Sequence, residues 1–365
     1  MLIVAGIFAV DSRMHDAEVE RFAQKFALLG TLRKSALTAY LTTVRGEITF
    51  WSVSDSMRDV SLRLQEGWQA LPGDKTRTLQ ELYVRNNPFP VGERAKLSDA
   101  GDGSSYTNAH LSLHDLAEEF VSGRGYYDFF VMDLSGNILY TVEKEADFAT
   151  NLLGGPHPDT GLADVFRRAV ADDNNGVQFS DLARYAPSNN EPAIFVARRM
   201  IDDASNPIGV MAMQLPTTRI INIMQFDEGM GESGETYLAG QDLVMRSDSR
   251  FSDESTILSQ RVDTATVKLS LEGNRGISFT PDYRGVNVLS AYDWIDLDGF
   301  RWAVMAEIDE AEVRRSTAGL GSVLWAIGAL FYGLALWTAT MLGGFSWRGD
   351  AAAGAGVPDL DVGQS

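Results

Sequence analysis

The chain has 365 residues, of which 45% are apolar and 22% are charged, and these proportions are ordinary for a folded protein with two or three domain-sized units. Its formal net charge of −19 argues against a nucleic-acid partner, because binding to a phosphate backbone depends on clustered Lys and Arg. Cys is absent, which excludes disulfides, thiolate metal sites and a cysteine nucleophile.

Residues 1–10, MLIVAGIFAV, form a short apolar run at the start of the chain. A helix needs roughly 20 apolar residues to cross a bilayer, so this run is too short to span one. It also lacks the basic residues and the cleavage pattern of a signal peptide. We therefore expect residues 1–10 to be the end of a truncated first membrane helix.

Residues 11–87 are predicted to form a helical stalk that rises from the membrane. Apolar residues such as Phe22, Phe26 and Leu29 recur at helical spacing, and no Pro occurs before Pro72. The pattern predicts one long helix, or two helices stacked end to end. The turn-forming stretches LPGDKTR and NNPFPVGER then end the helical pattern.

Two modules with the same plan are predicted next, and together they make the fold class α+β with antiparallel sheets. Residues 88–215 predict a PAS-like module, in which one helix precedes five strands and a second helix follows the second strand. Residues 216–312 predict a shorter version: a helix, a hairpin over residues 234–248, another helix and three strands. Within that hairpin we expect an internal ion pair between Arg246 and Asp248.

The C-terminal segment predicts a transmembrane helix over residues 318–345. Residues 320–345 contain no charged residue and include interspersed Trp and Tyr, a pattern typical of membrane helices. The alternative is a buried hairpin, for which the run lacks a polar turn. The flanking charges do not fix the orientation of the helix. Residues 346–365 are rich in Ala, Gly and Asp and predict a disordered tail without an output domain.

Several stretches resemble the double Cache (dCache) extracytoplasmic sensor regions of bacterial transmembrane receptors. They include YYDFFVMDLSGNILYTVEKEADFATNL at residues 126–152 and GMGESGETYLAGQDLVMRSDSRF at residues 229–251. The resemblance covers roughly residues 15–310. It implies a membrane-distal ligand pocket in the first module and a membrane-proximal second module. Such regions are coupled to chemotaxis, cyclase, kinase or phosphatase output domains, and the chain departs from that layout because no such domain follows residue 345.

The polar run EKEADFAT carries the main candidate site. Lys144, Asp147 and Thr150 recur every three residues where a strand gives way to the segment that, in the resembled family, lines the distal pocket. A cation with nearby hydroxyls suits a small anionic or zwitterionic solute. The alternative is a solvated connection with ordinary surface charges.

Four more residues on neighbouring strands complete the predicted ligand site: Tyr127, Tyr185, Phe195 and Gln214. Aromatic walls with a few polar groups are typical of such pockets, although each aromatic side chain is also an ordinary core residue. Gln214 interrupts the apolar strand GVMAMQLP, and a buried amide needs hydrogen-bond partners. In amino-acid-binding members of the family an Asp near this strand end holds the ligand ammonium, so Gln214 argues against a standard α-amino-acid site.

No catalytic residue, cofactor or metal site is predicted. His110 and His114 lie four apart on a predicted helix, a spacing compatible with zinc, but no third ligand is placed by the sequence. The Gly-rich stretches match neither a Walker loop nor a dinucleotide motif. A nucleophile elbow or a Ser, His and Asp set is also missing from the sequence.

The leading interpretation is the periplasmic small-molecule sensing region of a receptor in the bacterial inner membrane, forming a homodimer through the N-terminal helix. The partners are then a small-molecule ligand and the membrane. The alternatives are the sensor portion of a truncated nucleotide cyclase or chemoreceptor, and a membrane binding protein that acts through a partner.

Overall fold

The computed structural model describes the backbone of residues 2–350, without the side chains of residues 2–12, 14–15, 316–324 and 341–350. Two helices occupy the predicted stalk, α1 (Leu2–Ser52) and α2 (Asp55–Ala70). The break between them follows from a cap, because the Ser54 hydroxyl accepts the backbone N–H of Met57 at 3.3 Å. The helical pattern of the sequence is thus divided into two helices at Ser54.

Three further helical segments lead to the first sheet. They are α3 (Lys75–Gln80), which continues as a π-turn over Glu81–Arg85, a 3₁₀ turn (Arg94–Lys96) and α4 (Ser105–Arg124). Helix α4 begins at a Ser104 cap and ends at Gly125, whose φ of 71° is the left-handed conformation that glycine adopts without strain. Helices α2 and α4 pack closely, since a Cβ on Gly67 would lie 2.5 Å from Cα of Tyr106.

The first sheet is antiparallel and has the strand order β2-β1-β6-β5-β3, with β4 paired to β5. Its strands are β1 (Asp128–Met132), β2 (Ile138–Thr141), β3 (Gln178–Phe179), β4 (Ala183–Tyr185), β5 (Glu191–Ile201) and β6 (Pro207–Leu215). Helix α5 (Gly161–Ala171) follows β2, as the sequence predicts. The short strand β4 is an addition to the five predicted strands.

Both faces of the first sheet are buried, and alternate residues of β1 serve the two faces. Phe129 and Val131 belong to the core shared with α2 and α4. Phe130 and Met132 belong to a second core against α5. This double burial explains why β1 appears in the sequence as an almost unbroken apolar run, in which a polar residue is exceptional.

The second sheet is antiparallel and has the strand order β7-β10-β9-β8. Its elements are α6 (Thr217–Met224), β7 (Glu235–Ala239), α7 (Ala265–Leu271), β8 (Gly276–Pro281), β9 (Asn287–Asp296) and β10 (Arg301–Asp309). The predicted hairpin partner of β7 forms only isolated bridges, such as Ala239 to Met245. The predicted Arg246–Asp248 ion pair is wrong: Arg246 pairs with Asp181 at 2.7 Å, whereas Asp248 accepts the backbone N–H of Thr256.

Helix α8 (Glu310–Asp350) contains the segment predicted to cross a membrane, residues 318–345. That prediction is not reproduced, because among the described residues we find no helix with the length and apolar character that a membrane crossing requires. The side chains of residues 316–324 and 341–350 lie outside the description. The same holds for the side chains of residues 1–10, the predicted end of a first membrane helix, and for residues 351–365 of the predicted tail.

Candidate functional site

The loop after β2 brings Asp147 into the interior of the first-sheet region. Its side chain is 1% exposed, and its Oδ2 accepts the Tyr185 hydroxyl at 2.6 Å. Lys144 and Ala149 in this loop have φ values of 52° and 60°, a left-handed conformation that costs non-glycine residues energy. Burial raises the pKa of Asp147 to about 6. A carboxylate that needs a partner is therefore held in place by a strained loop.

A second buried carboxylate, Glu145, is saturated by hydroxyl donors. Its Oε1 accepts the Tyr127 hydroxyl at 2.7 Å and its Oε2 accepts the Ser188 hydroxyl at 2.5 Å. The Gln214 amide nitrogen donates to the Ser188 oxygen at 3.2 Å. The amide that interrupts β6 is thus satisfied by a chain of side chains, and its burial is explained.

Asp128, the first residue of β1, faces Gln214 in the register of β1 and β6. Its Oδ1 accepts the backbone N–H groups of Phe129 and Val142, at 2.7 and 2.8 Å. Burial, followed by the negative charge of Asp147, raises the pKa of Asp128 well above its usual range. The negative charge of Asp147 therefore adds to burial in disfavouring the ionised form of Asp128.

Lys144 is fully buried, and its amino group contacts protein atoms. Its Nζ donates to the Val142 carbonyl at 3.0 Å and lies 3.4 Å from His114 Nε2. His114 Nδ1 is 2.7 Å from the Tyr140 hydroxyl. Burial lowers the pKa of Lys144 to about 7, and burial together with the Lys144 charge lowers that of His114 to about 4.

Unpartnered polar atoms are concentrated around these groups. Among the side chains that the structure describes, eight buried N or O atoms lack a hydrogen-bond partner. Four of them are here: Arg94 Nε, His110 Nε2, Asp128 Oδ2 and Asp147 Oδ1. Arg94 belongs to the same region because its Nη1 donates to the Lys144 carbonyl at 3.4 Å. An unsatisfied buried polar group costs about 1–3 kcal/mol, so this concentration demands a reason.

We name this set the buried polar cluster. Its members are Arg94, His110, His114, Asp128, Tyr140, Lys144, Glu145, Asp147, Tyr185, Ser188 and Gln214. Two further residues predicted for the site contact members of the cluster. Thr150 donates its hydroxyl to the Asp147 carbonyl at 2.7 Å, and the Phe195 ring packs edge-on against Tyr185 at a centroid distance of 4.7 Å. Tyr127 lies at the edge of the cluster, with 36% of its surface exposed.

Sequence reasoning missed Arg94, Asp128, Tyr140, Glu145 and Ser188, and it considered His110 and His114 only as zinc ligands. Asp128 carried a usable signal, because it interrupts the apolar run YYDFFVM just as Gln214 interrupts β6. Arg94 and Ser188 lie in 3₁₀ turns, where the local pattern says nothing about which side chains point inward.

The histidine pair lies in the core. The rings of His110 and His114 stack at 4.9 Å between centroids, and His110 Nδ1 lies 2.8 Å from the Ser98 carbonyl oxygen. Within the described part of the chain, His, Asp and Glu form no group of three or more with the spacing to hold a metal ion.

The fold can now be compared with known proteins. No family model and no curated protein matches the sequence. Solved structures with a similar fold include ligand-binding domains of three bacterial chemoreceptors. The Campylobacter jejuni Tlp3 domain, in complex with 4-methylisoleucine, is 11% identical with a TM-score of 0.49, and the match covers 82% of this chain and 94% of that one.

The Pseudomonas fluorescens CtaA domain, in complex with L-serine, is 11% identical with a TM-score of 0.44, over 81% of this chain and 97% of that one. The Pseudomonas aeruginosa PctC domain, in complex with GABA, is 11% identical with a TM-score of 0.43, over 79% and 100%. At 11% identity the likeness to each of these three domains is one of fold alone.

Asp147→Asn tests the electrostatics of the cluster. Because the folded-state pKa of Asp147 lies above its ordinary value of 3.8, the carboxyl group favours folding while protonated, and this contribution is lost as the pH rises through about 6. Asparagine stays neutral and its oxygen still accepts from Tyr185. We expect the variant to be about 1–3 kcal/mol more stable than wild type at about pH 8 and nearly equal at about pH 4.

Urea unfolding at both pH values measures this difference. Asp164→Asn is the matched control, since Asp164 forms an exposed ion pair with Arg168 on α5. A variant at position 147 that is less stable than wild type at the higher pH would show that the ionised carboxylate is already satisfied.

Proposed function

We propose that the chain is the extracytoplasmic sensing region of a bacterial transmembrane receptor and that the buried polar cluster binds its ligand. One observation carries the proposal: four unpartnered polar atoms lie in one cluster beside a strained loop. Proteins keep such costly groups mainly where another molecule satisfies them. The long helix and the two antiparallel sheets supply the framework that holds the cluster.

The chemistry of the unpartnered atoms indicates the kind of ligand. Asp128 Oδ2 and Asp147 Oδ1 are acceptors, whereas Arg94 Nε is a donor. An ammonium group offers three N–H donors to the carboxyl oxygens of Asp147 and Asp128, and a carboxylate, carbonyl or hydroxyl group on the same molecule accepts from Arg94. The ligand is therefore a small amine with a second polar group, which agrees with the zwitterionic solute that the polar run EKEADFAT suits.

The remaining layout follows the sequence. Residues 88–215 form the membrane-distal module and residues 216–312 the membrane-proximal one. The uncharged stretch 320–345 supports anchoring of the chain in the inner membrane, with the sheets on the periplasmic side. The chain senses and does not catalyse.

A second copy of the chain binds along α1. Leu28, Leu32 and Phe50 on this helix are 58%, 53% and 66% exposed. At helical spacing they share one stripe with Ala39 and Thr43. A cleft of about 740 Å³ between α1, the end of α4 and α6 lies beside this stripe. A stripe of small and large apolar residues next to a cleft is self-complementary in a two-fold dimer, so α1 of the second copy is the occupant.

A thermal-shift screen of the full chain tests the ligand proposal. Primary amines that carry a carboxylate, amide or hydroxyl group are compared with their N-acetylated analogues. We expect a binder to raise the unfolding midpoint while its acetylated analogue does not, because the amide cannot offer an ammonium to the carboxylates. Affinity should fall about tenfold from pH 7.5 to pH 5, since Asp147 must be ionised to bind.

Asp147→Asn and Asp128→Asn should each weaken binding at least about tenfold. Glu307→Gln is the matched control, because Glu307 is a buried carboxyl group of the second sheet and both its oxygens have partners. Amines that bind both Asp variants as tightly as they bind the wild type would refute the assignment of the site.

Single cysteines test the dimer, since the natural chain has none. With Leu32→Cys in bacterial membranes, we expect oxidation to yield a disulfide-linked dimer, because the two α1 stripes face each other. Leu116→Cys is the control: Leu116 is 46% exposed but lies on α4. Equal cross-linking at the two positions, or at neither, would contradict dimerisation through α1.

A further inference from the structure

Asp181 lies in the loop between β3 and β4 of the first sheet. Its carboxylate accepts hydrogen bonds from two side chains of the second-sheet region. Its carboxylate accepts Nε and Nη2 of Arg246, at 3.0 and 2.7 Å. It also accepts the indole N–H of Trp302 on β10 at 2.7 Å. Two parallel bonds from one guanidinium fix both the distance and the orientation of the pair.

The second sheet holds Arg246 rigidly for this contact. The arginine is 3% exposed, and its Nη1 donates to the Val244 carbonyl at 2.9 Å. Gly240 is required beside it, since a Cβ there would lie 2.2 Å from the guanidinium. Asp242, from the same loop, adds an ion pair at 3.0 Å. Arg246 is therefore fixed in position. A displacement of Asp181 changes the geometry of the ion pair, because the buried arginine cannot move with it.

The other end of the same short segment touches the candidate ligand site. Asp181 lies four residues before Tyr185, whose hydroxyl donates to Asp147. Strand β4 has three residues, ends at Tyr185 and pairs with β5 alone in the described structure. The Leu182 backbone N–H donates to Asp181 Oδ1 at 2.7 Å, which ties the carboxylate to the start of β4. A short edge strand with one neighbour shifts more easily than a central one.

We propose that Asp181 couples the ligand site of the first sheet to the second sheet. The inference rests on the proposed function, because it assigns a regulatory contact to that site. An ammonium group bound at Oδ1 of Asp147 draws the negative charge of the carboxylate toward that oxygen, so Oδ2 becomes a poorer acceptor and the Tyr185 hydroxyl leaves it. Strand β4 then moves as Tyr185 finds a new position. Asp181 then moves relative to Arg246 and Trp302. Because Trp302 lies on β10, this movement shifts the conformational equilibrium of β10, which is followed directly by α8 in the chain.

Hydrogen–deuterium exchange on the full chain tests this coupling without a ligand. Tyr185→Phe removes the hydroxyl bond to Asp147 and imitates its loss on binding. We expect this change to alter amide exchange over residues 301–309 by roughly two- to thirtyfold. In an Asp181→Asn background, the same substitution should leave exchange over residues 301–309 unchanged.

Asp242→Asn is the matched control, because it removes an acid from the same arginine without touching the link between the sheets. In that background the response to Tyr185→Phe should persist. A response that survives Asp181→Asn, or one that is absent from the wild type, overturns the proposal. If Asp181→Asn does not fold, Trp302→Phe takes its place, because it removes one donor to Asp181. We expect this variant to reduce the exchange response to Tyr185→Phe, and an undiminished response would overturn the proposal.

The coupling and the proposed function fail separately. If the exchange response depends on Asp181 but no amine binds in the thermal-shift screen, the coupling is supported and the amine ligand is refuted. If amine binding depends on Asp147 but exchange at residues 301–309 does not respond, the amine ligand is supported and the coupling is refuted.

Discussion

The burial of ionisable groups without enough partners is the constraint on which the rest of this structure depends. Asp128, Lys144, Glu145 and Asp147 are all less than 10% exposed and lie at one end of the first sheet. Burial penalises every charged form, so the pKa values of the acids are raised and that of Lys144 is lowered. The region can be neutral or can be satisfied from outside, and four of its buried polar atoms have no hydrogen-bond partner in the described part of the chain.

The second sheet shows what a purely structural polar core looks like. Glu307 is equally buried, but Ser290 and Tyr237 donate to its two oxygens. Glu235 is matched in the same way by Ser249 and Tyr283. Each oxygen of these two carboxyl groups accepts a hydroxyl donor, in contrast to Asp128 and Asp147, which each have an oxygen without one. The difference between the two sheets lies in how fully their acids are paired, because both sheets bury acids.

Much of the fold could be predicted from sequence because it rests on local patterns. Apolar spacing predicted the helical stalk, and the order of one helix, five strands and a helix after the second strand predicted the elements of the first sheet apart from β4. The hairpin after β7 failed for a tertiary reason. The side chain of Arg246 turns to Asp181, 65 residues earlier, and the backbone does not continue as a strand. No local pattern reports a partner at that distance.

The site was predictable to the same extent. The run after β2 was recognised as the candidate contact region, and Lys144 and Asp147 do lie inside the cluster. Which of its atoms are free depends on contacts from distant elements: Tyr185 occupies one oxygen of Asp147, and His114 lies against Lys144. The sequence left an anionic and a zwitterionic ligand open, and the proposal of an amine depends on these distant contacts.

The most direct measurement is a carbon-13 NMR titration of the Asp147 carboxyl group in the full chain, with and without the amine that gives the largest thermal shift. The account predicts a pKa of about 6 in the free protein, which falls toward the ordinary value of 3.8 when an ammonium group binds. A pKa that stays unchanged at saturating amine would contradict the central claim that this carboxylate binds the ligand.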